Sequence, residues 1–144
     1  MATGYFYTVL RVSFDPSRDY PLGTSRPDLL HTPGGIPLDE LELHGEGVDA
    51  AELRATPETL RLQADVARAA GRAQLADNLL RAAELAPLPD ETILAIYTAL
   101  RPRRSTAAEL ETLAAQLDDR QAPVTAAFVR EAAQVYVKRG LLAG

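Results

Sequence analysis

Helix punctuation constrains this chain more than any other feature of its sequence. Beyond about residue 56, start and stop signals recur so regularly that only short helices joined by tight turns accommodate them. Thr56 is an N-cap type, followed by Pro57 at the first helical position and Glu58 in the first turn. Gly71 stops that segment, so a helix is expected over 57–70. Residues 72–85 continue as an amphipathic helix, which Pro87 and Pro89 end. Pro89, Asp90 and Glu91 open the next helix with a preset φ and with negative charge at the positive end of its dipole. Pro102 stops it, and Arg101, Arg103 and Arg104 lie near its C-terminal carbonyls. Thr106 and Glu109 have capping-box spacing ahead of a helix over 106–118, and Pro123 and Gly140 bracket the last one.

The apolar faces follow from the same register. In the PDETILAIYTALRPRRST stretch, Ile93, Ile96, Tyr97 and Leu100 recur at helical spacing, with Thr92, Ala95 and Thr98 opposite, so one face is expected to be buried. Residues 72–85 set Leu75, Leu79, Ala82 and Ala83 against Gln74, Asp77, Asn78 and Arg81. The helix over 57–70 is apolar on two sides, with Leu60, Ala64 and Ala67 on one and Leu62, Val66 and Ala69 on the other. The last helix goes further. Arg130, Glu131, Gln134 and Lys138 make one polar strip, and apolar residues, including Phe128, Val129 and Tyr136, cover well over half of its girth. Such a helix is either the inner helix of a bundle or one that meets a second chain. Tyr97, Leu100, Phe128, Val129 and Tyr136 are therefore candidate core or subunit-interface residues. Arg101, Arg103 and Arg104 join them with two readings, solvated charge complementing a helix dipole or a seat for an acidic patch.

The first third of the chain reads differently. Pro16, Pro21, Pro27, Pro33 and Pro37, with Gly23, Gly34, Gly35, Gly45 and Gly47, exclude a long helix over residues 14 to 48. Residues 5 to 12, YFYTVLRV, are expected to form one short strand, and Asp49 to Leu53 a single turn. The fold class is thus mainly α, a small open bundle of four to five helices over 49–144 with an irregular, extended N-terminal arm over 1–48.

Composition narrows function mostly by exclusion. With no cysteine there is no disulfide, Cys-ligated zinc, iron–sulfur cluster or thiol nucleophile. The net charge of −5 disfavours a phosphate backbone, so nucleic acid is not an expected partner. No apolar run reaches the roughly 18 residues of a membrane span, so no membrane is expected and the cytoplasm is the default location. His31 and His44 stand 13 residues apart in the arm, which offers no helical ligand pair for a metal. None of the serines sits in a nucleophile-elbow context, and Ser105 reads as part of the following helix cap. Asp90 with Glu91, and Asp118 with Asp119, are adjacent at helix ends rather than converging on a cleft. No catalytic, cofactor-binding or metal-ligating residue is expected on this chain.

Several blocks, taken in order, resemble the small subunit of the adenosylcobalamin-dependent diol and glycerol dehydratases. They are DYPL (Asp19 to Leu22), PLDEL (Pro37 to Leu41), TPETLRLQA (Thr56 to Ala64), AGRAQLADNLLRAAEL (Ala70 to Leu85), PDETILAIYTALRPRRST (Pro89 to Thr106) and QAPVTAAFVREAAQVY (Gln121 to Tyr136). Roughly residues 19 to 142 are covered. The resemblance implies a mainly helical, non-catalytic subunit that stabilises a large barrel subunit. It also implies partners, a large (alpha) and a medium (beta) subunit, assembled as a dimer of three-chain units. Adenosylcobalamin is then held by those partners and not by this chain. The holoenzyme of such a family dehydrates 1,2-diols or glycerol to aldehydes by a radical route. On this resemblance the three arginines become a seat for an acidic patch on the large subunit. Residues 1 to 18 do not look like the longer leaders of members that enter bacterial microcompartments, so a microcompartment lumen stays open without support from the N-terminus. The alternative is a free-standing helical adaptor using the same apolar faces. A hydrolase or lyase working through surface carboxylates is the third reading.

Overall fold

A computed structural model describes residues 13–41 and 49–144. The strand expected over 5–12 lies outside the described residues, and so does His44. Among the described residues the chain forms six α-helices: α1 Leu22–Ser25, α2 Pro57–Ala69, α3 Ala73–Leu85, α4 Asp90–Ala99, α5 Ala107–Asp119 and α6 Pro123–Arg139. Short 3-10 turns at Pro27–Leu29, Leu38–Glu40 and Ala50–Leu53 punctuate the first part, and a lone bridge pairs His31 with Pro37. This is the mainly α bundle that the sequence predicts.

The caps sit where local chemistry puts them. The Thr56 hydroxyl accepts the Thr59 N–H at 3.2 Å to open α2. Thr106 and Glu109 close a reciprocal capping box on α5, with the Thr106 N–H donating to the Glu109 carboxylate at 2.8 Å. Gly140 stops α6 in the left-handed region at φ 63°. Ser105 corrects its expected role. Thr106 is the cap, and the buried Ser105 hydroxyl instead donates to the Ala99 carbonyl at 3.0 Å, tying down the end of α4.

The bundle is built from two helical hairpins, α2 with α3 and α5 with α6, joined where α3 meets α6. The two hairpins repeat one another at a shift of fifty positions. Thr56 maps onto Thr106 as N-cap, and buried Ala64 and Ala76 map onto buried Ala114 and Ala126. The left-handed turn residue Gly71 (φ 73°) falls on Gln121 (φ 61°). Even the closing bond is shared, since Arg72 N–H reaches the Ala67 carbonyl at 2.8 Å and Ala122 N–H the Leu117 carbonyl at 2.9 Å. The cores differ in volume. The first hairpin fully buries only the alanines Ala64, Ala67 and Ala76, with Leu79 and Leu80 partly buried against them, while the second buries Leu110, Leu117 and Val129 with Ile96 of α4.

Two expected burial patterns need correction. In α4, Ile96 is buried and Ile93 and Leu100 are half-buried, but Tyr97 points outward with 63% of its surface exposed, as does Leu94. The core reading of Tyr97 therefore does not hold. Nor is α6 an inner helix. It buries Thr125, Ala126 and Val129, half-buries Ala132, Ala133 and Tyr136, and leaves Phe128, Val135 and Val137 exposed. Leu75 of α3 is exposed as well.

The described part of the arm lies against the first hairpin and is organised around one carboxylate. Asp19 is buried at 6% exposure. It accepts the Arg18 Nε–H at 2.9 Å, the Asp15 N–H at 3.0 Å and Arg26 Nη1 at 3.4 Å. The Arg18 bond first, then the backbone N–H, pulls its carboxyl down to about 2. A depressed acid stabilises the fold above its unfolded value, near 4, and that contribution fades as pH falls through the folded one. Pepsin, which works at acid pH, should therefore cut the arm of an Asp19→Asn variant faster than that of wild type at about pH 4, with the two rates converging near pH 2. Equal rates at about pH 4 would contradict this role.

Candidate interaction surface

The sequence-predicted residues separate into two groups. Val129 is fully buried, and Leu100 and Tyr136 are half-buried and tied together by the Tyr136 hydroxyl donating to the Leu100 carbonyl. These three hold the second hairpin against α4. Tyr97, Phe128, Arg101, Arg103 and Arg104 are on the surface. Phe128 is 40% exposed, and its ring lies beneath the Arg81 guanidinium of α3, 4.5 Å from the centroid. That contact covers one ring face while the rest meets solvent.

Leu94 and Tyr97 are one helical turn apart on the outer side of α4, and Arg101 continues the line just past its end. The turn beyond is firmly built. Arg104 N–H donates to the Arg101 carbonyl at 3.2 Å, Arg103 N–H to the Leu141 carbonyl at 2.7 Å, and Ala143 N–H to the Ser105 carbonyl at 2.9 Å. The C-terminal residues thus brace the basic turn, and Leu142 anchors them by packing against the core. Arg103 has φ 61°, a left-handed conformation in which a side chain costs about 1 kcal/mol or more.

Two residues of the surface and its support carry no local signal in the sequence. Leu94 is one more aliphatic residue in an apolar stretch, and only the structure shows it facing outward. Glu84, which looks like one more polar residue on α3, accepts the Val124 N–H at 2.9 Å, the Thr125 N–H at 2.7 Å and the Thr125 hydroxyl at 2.6 Å. Its partners lie 40 and 41 positions away, so no local motif announces them.

A groove of about 690 Å³ runs between the arm and the first hairpin, bordered by Tyr20, Leu30, Val66, Leu75 and Leu79 with Gln63 and Arg72 among its polar members. It offers apolar surface with few directed polar groups. His31 borders a second groove, of about 620 Å³, near Pro57 and Glu58. Among the described residues no three acidic or imidazole groups gather as metal ligands. What the surface does provide is apolar and basic contact area.

The comparisons with known proteins agree on one family. The family model described as dehydratase small subunit matches residues 16–143. The propanediol dehydratase small subunit of Citrobacter freundii is 51% identical over 130 residues, covering 88% of this chain and 76% of that protein. The propanediol dehydratase small subunit of Salmonella typhimurium is likewise 51% identical over 130 residues, covering 88% of this chain and 75% of that protein.

Proposed function

Because the chain belongs to the dehydratase small-subunit family, we propose that it is the non-catalytic small subunit of a diol dehydratase that acts on propane-1,2-diol or glycerol. The observation that carries this reading is the 51% identity to two propanediol dehydratase small subunits over most of the chain. The exposed Leu94, Tyr97, Phe128, Val135 and Val137 support a role in contact, since a chain of this size with so much outward apolar surface gains by covering it. Its partners are a large and a medium subunit, in a dimer of three-chain units located in the cytoplasm. No helix among the described residues is long and apolar enough to cross a membrane.

Adenosylcobalamin belongs to the same proposal as a group held by the other subunits. The larger groove here is lined mostly by apolar residues, with the Ser17 and Tyr20 hydroxyls, the Gln63 amide and the Arg72 guanidinium, and it holds no imidazole or thiolate to ligate a cobalt ion. The residues of this groove do not fit the cofactor. Substrate choice rests with the chain that holds the reacting carbon.

Co-expression with large and medium subunits should give one gel-filtration peak containing equal amounts of the three chains. That peak should turn over propane-1,2-diol when adenosylcobalamin is added, while this chain alone shows no turnover. Elution of the other two as an active pair without it would contradict the proposal, and a free-standing adaptor would behave in that way.

A further inference from the structure

We propose that the outer face of α4 and the turn after it form a docking site for a carboxylate-rich surface of the large dehydratase subunit, with Leu94 and Tyr97 as its apolar centre and Arg101, Arg103 and Arg104 as its basic rim. The inference rests on the subunit reading above and gives that reading a location and a chemistry.

Three observations converge on it. The first is charge. The chain is acidic overall, at −5, yet three arginines stand together within four positions. Among the described residues none of the three has a carboxylate within 4 Å, as is also true of Arg54, Arg72 and Arg120, but only these three are gathered in one turn. Local positive charge left uncompensated on an acidic molecule fits an acidic protein surface. The second is composition, because an exposed tyrosine and leucine beside arginines match the aromatic and arginine enrichment of protein interfaces. A nucleic acid would use the arginines but would be repelled by the rest of the chain.

The third observation is backbone. Arg103 occupies a left-handed position, where glycine is the residue of lowest cost, and the Arg103 N–H bond to Leu141 and the Ser105 bonds to Ala99 and Ala143 hold it there. Its backbone alone would be served better by glycine. The guanidinium is what an arginine adds, and the braced turn presents it on a backbone that is already ordered.

The test compares variants within the co-expressed three-chain enzyme. Arg101→Glu, Arg103→Glu and Arg104→Glu together should weaken attachment of this chain to the other subunits at least tenfold, read by pull-down across a salt titration. Wild-type attachment should weaken as salt rises, and this dependence should flatten in the variant. Arg54→Glu, Arg61→Glu and Arg120→Glu together make the same change in net charge elsewhere and should stay within twofold of wild type. Arg103→Gly separates docking from folding, since it should raise the melting temperature of the isolated chain while loosening its attachment. If wild type joins the complex, and the basic-turn triple and Arg103→Gly join equally well, the docking site is wrong and the subunit reading stands. If wild type itself does not join, both fall together.

Discussion

Leu110→Ala should destabilise the isolated chain by about 3 kcal/mol, whereas Leu60→Ala at the equivalent place in the first hairpin should cost about 1 kcal/mol. The two leucines are fifty positions apart and stand on the same turn of matching helices. Leu110 is fully buried and belongs to the cluster of Ile96, Ala114, Leu117, Ala126 and Val129, while Leu60 is only half-buried. Removing the Leu110 side chain opens a hole whose walls are carried by helices pinned at their caps. Those walls cannot collapse inward without breaking the Thr106–Glu109 box or the Ala122–Leu117 bond. The cost is therefore lost burial plus a cavity that persists. Around Leu60 water already reaches part of the side chain, so less is lost. Urea unfolding of both variants, with an unchanged denaturant slope, measures the difference. Equal losses would mean that the two hairpins contribute alike and that the volume asymmetry of their cores carries no energy.

That asymmetry shows which parts of the structure were legible in the sequence. Helix boundaries were, because caps and stops are local chemistry. Thr56 with Pro57, Thr106 with Glu109, and Gly140 each act within one turn of chain, and the structure keeps all three. Burial was less legible. Tyr97 lies at the edge of an arc that also holds Ile96 and Leu100, and periodicity alone admits the whole arc. Packing then admits Ile93, Ile96 and Leu100 and leaves Tyr97 with Leu94 outside. The apolar girth of α6 misled in a similar way. Much of it is alanine, whose single methyl loses little by meeting solvent, and its larger members divide, with Val137 and Phe128 exposed and Val129 sealed.

The candidate surface was legible in its residue types and not in its shape. Arg101, Arg103 and Arg104 announce themselves as a cluster, but nothing in the string shows that Leu141 and Ala143 return to brace them. The internal repeat was hidden for a different reason. Its paired positions are small or capping residues, Thr56 with Thr106 and Ala64 with Ala114, which recur in any helical chain, and its turn residues differ as Gly71 and Gln121. Left-handed φ at both turns is what reveals the pair.

Replacing Glu84 by alanine should cost about 3 kcal/mol, the largest effect expected from a single polar side chain here. The N-terminus of α6 has no cap of its own, since its N-cap residue is Ala122. Pro123 has no N–H to satisfy, and Ala126 N–H already reaches the Ala122 carbonyl at 2.9 Å. That leaves the Val124 and Thr125 N–H groups, and the Glu84 carboxylate accepts both. It also takes the hydroxyl of Thr125, which is 2% exposed. A negative group at the positive end of the α6 dipole adds to these charge-assisted bonds. Truncation would leave two helix donors and a buried hydroxyl without their acceptor, in a place where α3 covers them from water. Glu84→Gln retains one acceptor oxygen and loses the charge, so about half the penalty is expected. A double-mutant cycle with Thr125→Ala should show strong coupling, because both changes remove the same short bond. A cost for Glu84→Ala below about 0.5 kcal/mol would mean that water replaces the carboxylate at the α6 terminus. The repeat explains why this lock is needed only once. At the matching terminus, α3 begins at Ala73 with no side-chain cap, and residues 73–75 are exposed, so solvent can satisfy its donors. Where α6 begins, the other hairpin occupies that solvent's place, and Glu84 is the group through which one hairpin completes the other.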